Sequence, residues 1–314
     1  MERADEALSV FCFITVFCYN LKMSIPIFLS SDNNYAPYMA AEIVSIVENT
    51  ESFIDFYILD GGISDQNIEK ISLMAEKYNN CSLEFIKIDL EKEFSSITFN
   101  NENCPHITIS AYSRFLIPDL KPDLKKIIYL DIDIIANGDI KNLYEHDLSQ
   151  YALGAVPGQM LSISQERIKT LNLSKSHKYF NSGVLLMDLD KFRNQEIIKH
   201  FYEIEQERNN DFKFPDQDIF NIYFDNNYLK LDKIYNYEAR TIRICKDFVL
   251  RHYTSGTKPW QFRPDVRTHI HGIDLFWNYL KKTPFYDETV KNCKFTTDKS
   301  FMDYLFSKIP SSKS

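Results

Sequence analysis

Apolar and polar positions fall into alternating blocks along the first half of the chain, and each block has one of two periods. Ile25 to Leu29 is a short continuous apolar run that ends in the polar cluster Ser30 to Asn34. Met39, Ile43, Ile46 and Val47 then recur at i, i+4, i+7 and i+8, the spacing of one helical face. Phe53 to Leu59 reads as a second buried strand closed by Asp60-Gly61-Gly62, Ser64 as the N-cap of a helix, and Leu83 to Ile88 as a third strand. This alternation predicts an α/β domain around a mostly parallel sheet.

The second half continues the theme and then departs from it. Lys126 to Leu130 (KIIYL) is a strand ending in Asp131-Ile132-Asp133, and Tyr151 to Val156 and Val184 to Met187 read as two more. Asp188 to Glu207 reads as one helix and Pro215 to Phe224 as another, with proline acceptable in the first turn. Beyond Pro264, Phe276, Trp277, Tyr279, Phe285, Tyr286, Phe295, Phe301, Tyr304 and Phe306 interleave with Lys281, Lys282, Lys291, Lys294 and Lys299. A soft boundary near residue 260 therefore separates a main domain, 23–260, from a small, mainly helical tail, 261–314. At the other end, Ala7 to Tyr19 is apolar but shorter than the ~20 residues that span a bilayer. The start is acidic (Glu2, Asp5, Glu6), unlike a signal peptide. Met23 precedes the first strand, so residues 1–22 read as a leader or an over-extended start.

Composition narrows the chemistry only a little. Hydrophobic residues at 44% and charged residues at 25% are ordinary for a globular protein. The net charge of −8 argues against nucleic acid as a partner, since phosphate backbones need a basic surface. The six cysteines are scattered, with no CxxC pair, which fits reduced thiols in a cytoplasmic protein.

Several segments carry candidate chemistry. Asp131 and Asp133, at i and i+2 past an apolar strand, point to one side of an extended chain, and two such carboxylates call for a cation. Hard oxygen ligands suit Mg²⁺ or Mn²⁺, which also take phosphate oxygens. His252 closes the run Phe248 to Leu250 and could add a third ligand; a solvated histidine before a turn is the plainer reading. In the turn that follows, Gly256 lets backbone approach a phosphate and Lys258 neutralises one. Ser31 to Tyr35 suits a base and ribose, and equally an Asx turn capping a helix. Asp216, Gln217 and Asp218 head a helix, where acids complement its dipole or bond sugar hydroxyls. Tyr179 to Gly183 reads as a tight turn, and His269 and His271 as residues at the surface or just behind the site.

In this order and spacing, SSDNNY (30–35), HITISAYSR (106–114), YLDID (129–133), YFNSG (179–183), DQD (216–218) and HYTSGTKPW (252–260) resemble the retaining glycosyltransferases of family 8. The resemblance spans roughly residues 25 to 260. It implies a GT-A fold, a Rossmann-like nucleotide-diphospho-sugar transferase domain. The donor would be a UDP-hexose, glucose or galactose, with Asp32, Asn34 and Tyr35 at the uridine. Asp131, Asp133 and His252 would bind Mn²⁺, with Mg²⁺ as the alternative. His106, Gly256 and Lys258 would contact the diphosphate, and Arg114, Asn181, Asp216 and Gln217 would line the donor sugar. One departure concerns the acceptor: bacterial galactosyltransferases of the family carry an acid shortly after Leu153-Gly154-Ala155, where this chain has Val156-Pro157-Gly158-Gln159.

The implied reaction moves the hexose to a sugar hydroxyl of a lipopolysaccharide-type glycan, with retention. Gln217 is a poor nucleophile and Asp216 is expected to bind hydroxyls, which favours front-face attack over double displacement. The tail's rings and lysines suit peripheral contact with the inner face of the cytoplasmic membrane, or packing on the main domain. Three other readings stand beside this one. A glycogenin-like protein would glucosylate its own tyrosine, and a sugar-nucleotide-binding module would not turn over. A phosphatase or nucleotidyltransferase could use paired aspartates but leaves HYTSGTKPW unexplained.

Overall fold

The long apolar runs become strands buried on both faces, and alternate residues supply two separate cores. The computed structural model describes residues 24–95, 109–158, 161–208, 212–238, 247–254, 256–266, 268 and 270–307. The readings made for residues 1–22, His106, Gln159 and His269 lie outside the described residues. Among the described residues seven strands form one sheet in the order β3-β2-β1-β4-β7-β6-β8: β1 (Ile25–Ser31), β2 (Ile54–Asp60), β3 (Cys81–Lys87), β4 (Lys126–Leu130), β6 (Leu153–Pro157), β7 (Phe180–Asp188) and β8 (Leu229–Lys230). β5 (Ile134–Ala136) and β9 (Leu250–His252) make a separate antiparallel pair. All neighbours in the large sheet run parallel except at β7, which is antiparallel to both β4 and β6.

In β4, Ile128 and Leu130 enter one core while Ile127 and Tyr129 enter the other; in β7, Val184 and Leu186 oppose Leu185 and Met187 in the same way. Helix α1 (Ala36–Glu48) covers the first face and buries Met39, Ile43, Ile46 and Val47, as their spacing predicts. Ser64 caps α2 (Asp65–Ala75), its side chain accepting from the Asn67 backbone. The single helix expected over 188–207 is two, α3 (Leu189–Asn194) and α4 (Ile197–Arg208). Glu196 sits between them at φ 49°, a left-handed residue that no continuous helix accommodates. Helix α5 (Pro215–Tyr223) starts on its proline and, with α4, covers the second face.

Helices α6 (Ile273–Leu280), α7 (Tyr286–Lys291) and α8 (Asp298–Ser307) follow residue 260. Phe276, Trp277, Phe285, Phe295 and Phe301 are buried in the same core as α1. Tyr38 and Phe276 rings meet at 6.2 Å, and Asn49 donates to the Tyr279 hydroxyl. Among the described residues no helix is long and apolar enough to cross a membrane.

Candidate active site

The site forms where β4 ends beside the start of antiparallel β7. Asp131 N–H donates to Gly183 O, extending the ladder one step past β4. The chain then turns at Ile132-Asp133 and enters β5, whose Ile134 pairs with His252. The two carboxylates therefore converge through a turn between two strands, not along one extended segment. Asp131, Asp133 and His252 each offer a ligand atom, all within 4.8 Å of one another.

These three residues are fixed from behind. Arg114 Nη2 and the Tyr129 hydroxyl donate to Asp131 Oδ1 at 2.9 and 3.1 Å. The Arg114 guanidinium lies over the Tyr129 ring and reaches Asp216 Oδ2 at 3.2 Å. Lys258 Nζ donates to Asp133 Oδ2 at 2.5 Å and to Tyr253 O at 2.6 Å. Burial works to raise the Asp133 pKa, but His252 and Lys258 outweigh it and hold the carboxyl well below the usual range. The Asn236 side-chain oxygen lies 2.8 Å from His252 Nδ1.

The donor set fits a divalent cation. His252 Nε2 approaches Asp133 Oδ1 to 2.8 Å without hydrogen-bond alignment, and that buried oxygen has no donor. With Nε2 unprotonated, the ring nitrogen and that oxygen would turn lone pairs toward one point, as a bound cation requires. Gly183 makes the approach sterically feasible: a Cβ there would lie 2.2 Å from His252 Cε1 and 2.7 Å from Asp131 Oδ2.

A cavity of ≈270 Å³ opens beside the cluster, and its lining includes Arg114, Asp131, Asp133, Asn181, Asp216, Gln217, His252 and Lys258. Eight of the residues singled out from sequence thus share one space. Asp216 is bonded by Ser182 Oγ at 2.9 Å, and burial raises its pKa against the pull of Arg114. Gln217 Oε1 accepts from Asn181 Nδ2 and Ser182 N at 3.0 and 3.1 Å. Asp218, the third residue of the DQD run, is fully buried and paired with Arg167 at 2.7 Å.

Asp32, Asn34, Tyr35 and Gly256 are not on that lining. Asp32 Oδ1 caps the turn before α1, accepting from Asn34 and Tyr35 backbone N–H groups. Tyr35 stands edge-on to Trp260, which stacks on Tyr38 at 3.9 Å, so the loop adjoins the segment that carries Lys258. Gly256 is exposed, with nothing within 4 Å of a Cβ built on it. Sequence reasoning missed Tyr129, Ser182 and Asn236, which orient the cluster, and Glu238 and Phe214, which line the cavity. YLDID contained Tyr129 and YFNSG contained Ser182; nothing in the sequence singled out Asn236.

A family model described as "Glycosyl transferase family 8" matches residues 26–263. The chain belongs to that family. It is 31% identical over 263 residues to glycosyltransferase GlyF of Streptococcus pneumoniae serotype 4, covering 81% of this chain and 60% of the relative. It is 28% identical over 284 residues to the lipopolysaccharide 1,2-glucosyltransferase of Escherichia coli K12, covering 84% and 79%. The galactosyltransferase LgtC, solved with donor and acceptor sugar analogs, superposes with a TM-score of 0.72 at 25% identity, over 83% of this chain and 96% of that one. The family 8 chain is therefore a glycosyltransferase of GT-A fold with an Asp-Asp-His cluster suited to a metal, the type of enzyme that takes a nucleotide-sugar donor and a glycan acceptor.

Proposed function

We propose that this family 8 enzyme is a retaining hexosyltransferase that uses UDP-glucose or UDP-galactose, depends on Mn²⁺, and glycosylates a sugar hydroxyl of a lipopolysaccharide-type acceptor. The observation that carries the reading is the convergence of Asp131, Asp133 and His252 on one point, with Asp133 Oδ1 lacking a donor, beside a cavity walled by Arg114, Asp216 and Gln217. The glucosyl- and galactosyl-transferring relatives support the hexose and leave both sugars open.

Asp131, Asp133 and His252 would hold the cation, which supplies positive charge to the diphosphate as the glycosidic bond breaks. Lys258 adds an ammonium at the same edge, and Gly256 offers backbone approach in the exposed turn before it. His106 is assigned to the diphosphate by family pattern. Tyr35, with its ring against Trp260, offers a face to the uracil, and Asp32 and Asn34 sit beside it for the ribose and base edges. Arg114 holds Asp131 and Asp216 in fixed relation, so its charge aligns carboxylates. Asn181 and Gln217 present amides to the sugar.

The bonding of Asp216 favours front-face attack. Its Oδ2 accepts from Ser182 and contacts Arg114, so attack through that oxygen would break both interactions, and both draw charge from the carboxylate as a whole. Gln217 Oε1 is likewise held by two N–H donors. The acceptor's proton then passes to a leaving phosphate oxygen. The tail's largest rings are in the core, so contact with an anionic inner membrane face would rest on the lysines.

The test is UDP release from a panel of UDP-sugars with Mn²⁺, with and without EDTA, alongside Asp133→Asn. Release from one hexose donor, abolished by EDTA and lowered at least about 100-fold by the substitution, is expected. Release that ignores both would remove the metal from the reading.

A further inference from the structure

Two backbone N–H groups in Asn181-Ser182-Gly183, which the structure places at the start of β7 and not in the tight turn read from the sequence, fix the orientation of every amide around the cluster. Gly183 N donates to Asn181 Oδ1 at 2.9 Å, so that end of Asn181 is the oxygen. Ser182 N donates to Gln217 Oε1, which fixes Gln217 in the same way. Asn181 Nδ2 then donates to Gln217 Oε1, and Gln217 Nε2 donates to the Tyr179 hydroxyl at 2.9 Å. That hydroxyl donates to Asp218 Oδ1 at 2.6 Å, a carboxylate already paired with Arg167. The relay is directional at its far end because an ionised carboxylate only accepts.

Followed the other way, the relay reaches the metal cluster. Asn181 Oδ1 also accepts from Asn236 Nδ2 at 2.9 Å. The nitrogen of Asn236 therefore faces Asn181, and its oxygen faces His252 Nδ1 at 2.8 Å. An amide oxygen only accepts, so Nδ1 carries a ring proton, and Nε2 is the nitrogen left to offer its lone pair to a cation held between it, Asp131 and Asp133. Asn236 is fully buried, 16 residues before His252, and held in place by the Tyr237–Arg251 bridge.

We infer that Asn236 is a positioning residue with two edges, one setting His252 as an Nε2 ligand for the cation and the other setting Asn181 and, through it, Gln217. This rests on the metal-dependent reading above and deepens it. The same buried amide ties the cation's ligand to the wall that receives the donor sugar, so the two halves of the site are oriented by one residue.

The edges separate by substitution. Asn236→Asp keeps an oxygen for the Nδ1 proton but cannot donate to Asn181; Asn236→Leu loses both at similar volume. Mn²⁺ affinity is read by titration with UDP present, and turnover by UDP release. Wild type should bind Mn²⁺, Asn236→Leu about 10–100-fold more weakly, and Asn236→Asp within a few-fold of wild type, with turnover lowered in both variants. Equal Mn²⁺ affinity in wild type and Asn236→Leu would overturn the inference and leave the metal reading intact. Absence of Mn²⁺ binding by wild type would overturn both. Imidazole ¹⁵N spectra of unmutated protein with Mg²⁺ and UDP, assigned with His252→Gln, add a measurement independent of variant folding. A proton on His252 Nδ1 is expected, and a proton on Nε2 would refute the inference.

Discussion

Gly183→Ala is the sharpest perturbation the site offers. The added Cβ would lie 2.2 Å from His252 Cε1, where carbon pairs settle at about 3.5–4.0 Å, so a gap of about 1.5 Å has to open. The strand cannot easily supply it, because β7 is hydrogen-bonded on one side to β4 and on the other to β6. His252 is the part that yields, and in yielding it leaves Asn236 and the Asp133 oxygen. Overpacking of this kind costs about 1–3 kcal/mol of stability. The larger effect falls on the cation, whose affinity should drop at least about 10–100-fold, the loss seen when a ligand's support is removed. Mn²⁺ titration in the presence of UDP measures the second and thermal melting the first. An alanine variant with wild-type Mn²⁺ affinity and an unshifted melt would refute the packing argument, because nothing else in the cluster moves freely enough to absorb the methyl group.

Other outcomes follow from the same contacts. Gln217→Ala should retain measurable UDP release, since front-face attack needs no nucleophile there; complete loss with a glycosyl adduct on Asp216 in the intact mass would reverse the mechanism. Arg167→Met strands the buried Asp218 carboxylate and should destabilise the fold by about 3–5 kcal/mol in urea denaturation, whereas a loss under 1 kcal/mol would show the pair to be solvated. Glu42 is wholly buried with both oxygens unpartnered, and burial, aided by Asp133 and Asp131, pushes its pKa well above the ordinary value. The native state then holds a proton the unfolded chain has released. Stability should fall as pH rises from the unfolded carboxyl value toward the raised one, by up to about 1.4 kcal/mol per pH unit. Glu42→Gln should remove that slope from the difference between denaturation curves, and parallel curves for the two proteins would mean Glu42 titrates normally.

How much could be read without coordinates depended on how local each cause was. Lys126–Leu130 is legible to its last residue because a strand buried on both faces is apolar at every position from Ile127 on. The break at Glu196 is not, because the left-handed residue there is glutamate, with no glycine to mark it. The aspartate pair is visible as a spacing, but its geometry comes from a turn and from β9, which arrives more than 100 residues later. Asp216, Gln217 and Asp218 look alike at a helix start; only the arrival of Arg114 and Arg167 from distant segments makes the first a wall of the cavity and the third a buried anchor. Asn236 had no periodicity, cap or motif to mark it. Its importance lies in one register of an irregular bridge, and such a bridge leaves no pattern in the chain.

The packing of α6 on α1 sets a schedule for biosynthesis. α1 ends at residue 48 and α6 at residue 280, so at about 5–20 residues per second the ribosome needs roughly 10–45 s to deliver the partner. Through that interval α1 has one side closed on the sheet and another still waiting for Phe276 and Trp277. Final closure of the site's outer shell is therefore among the last acts of synthesis, and a stalled or prematurely ended chain would present a bare apolar face to chaperones and proteases.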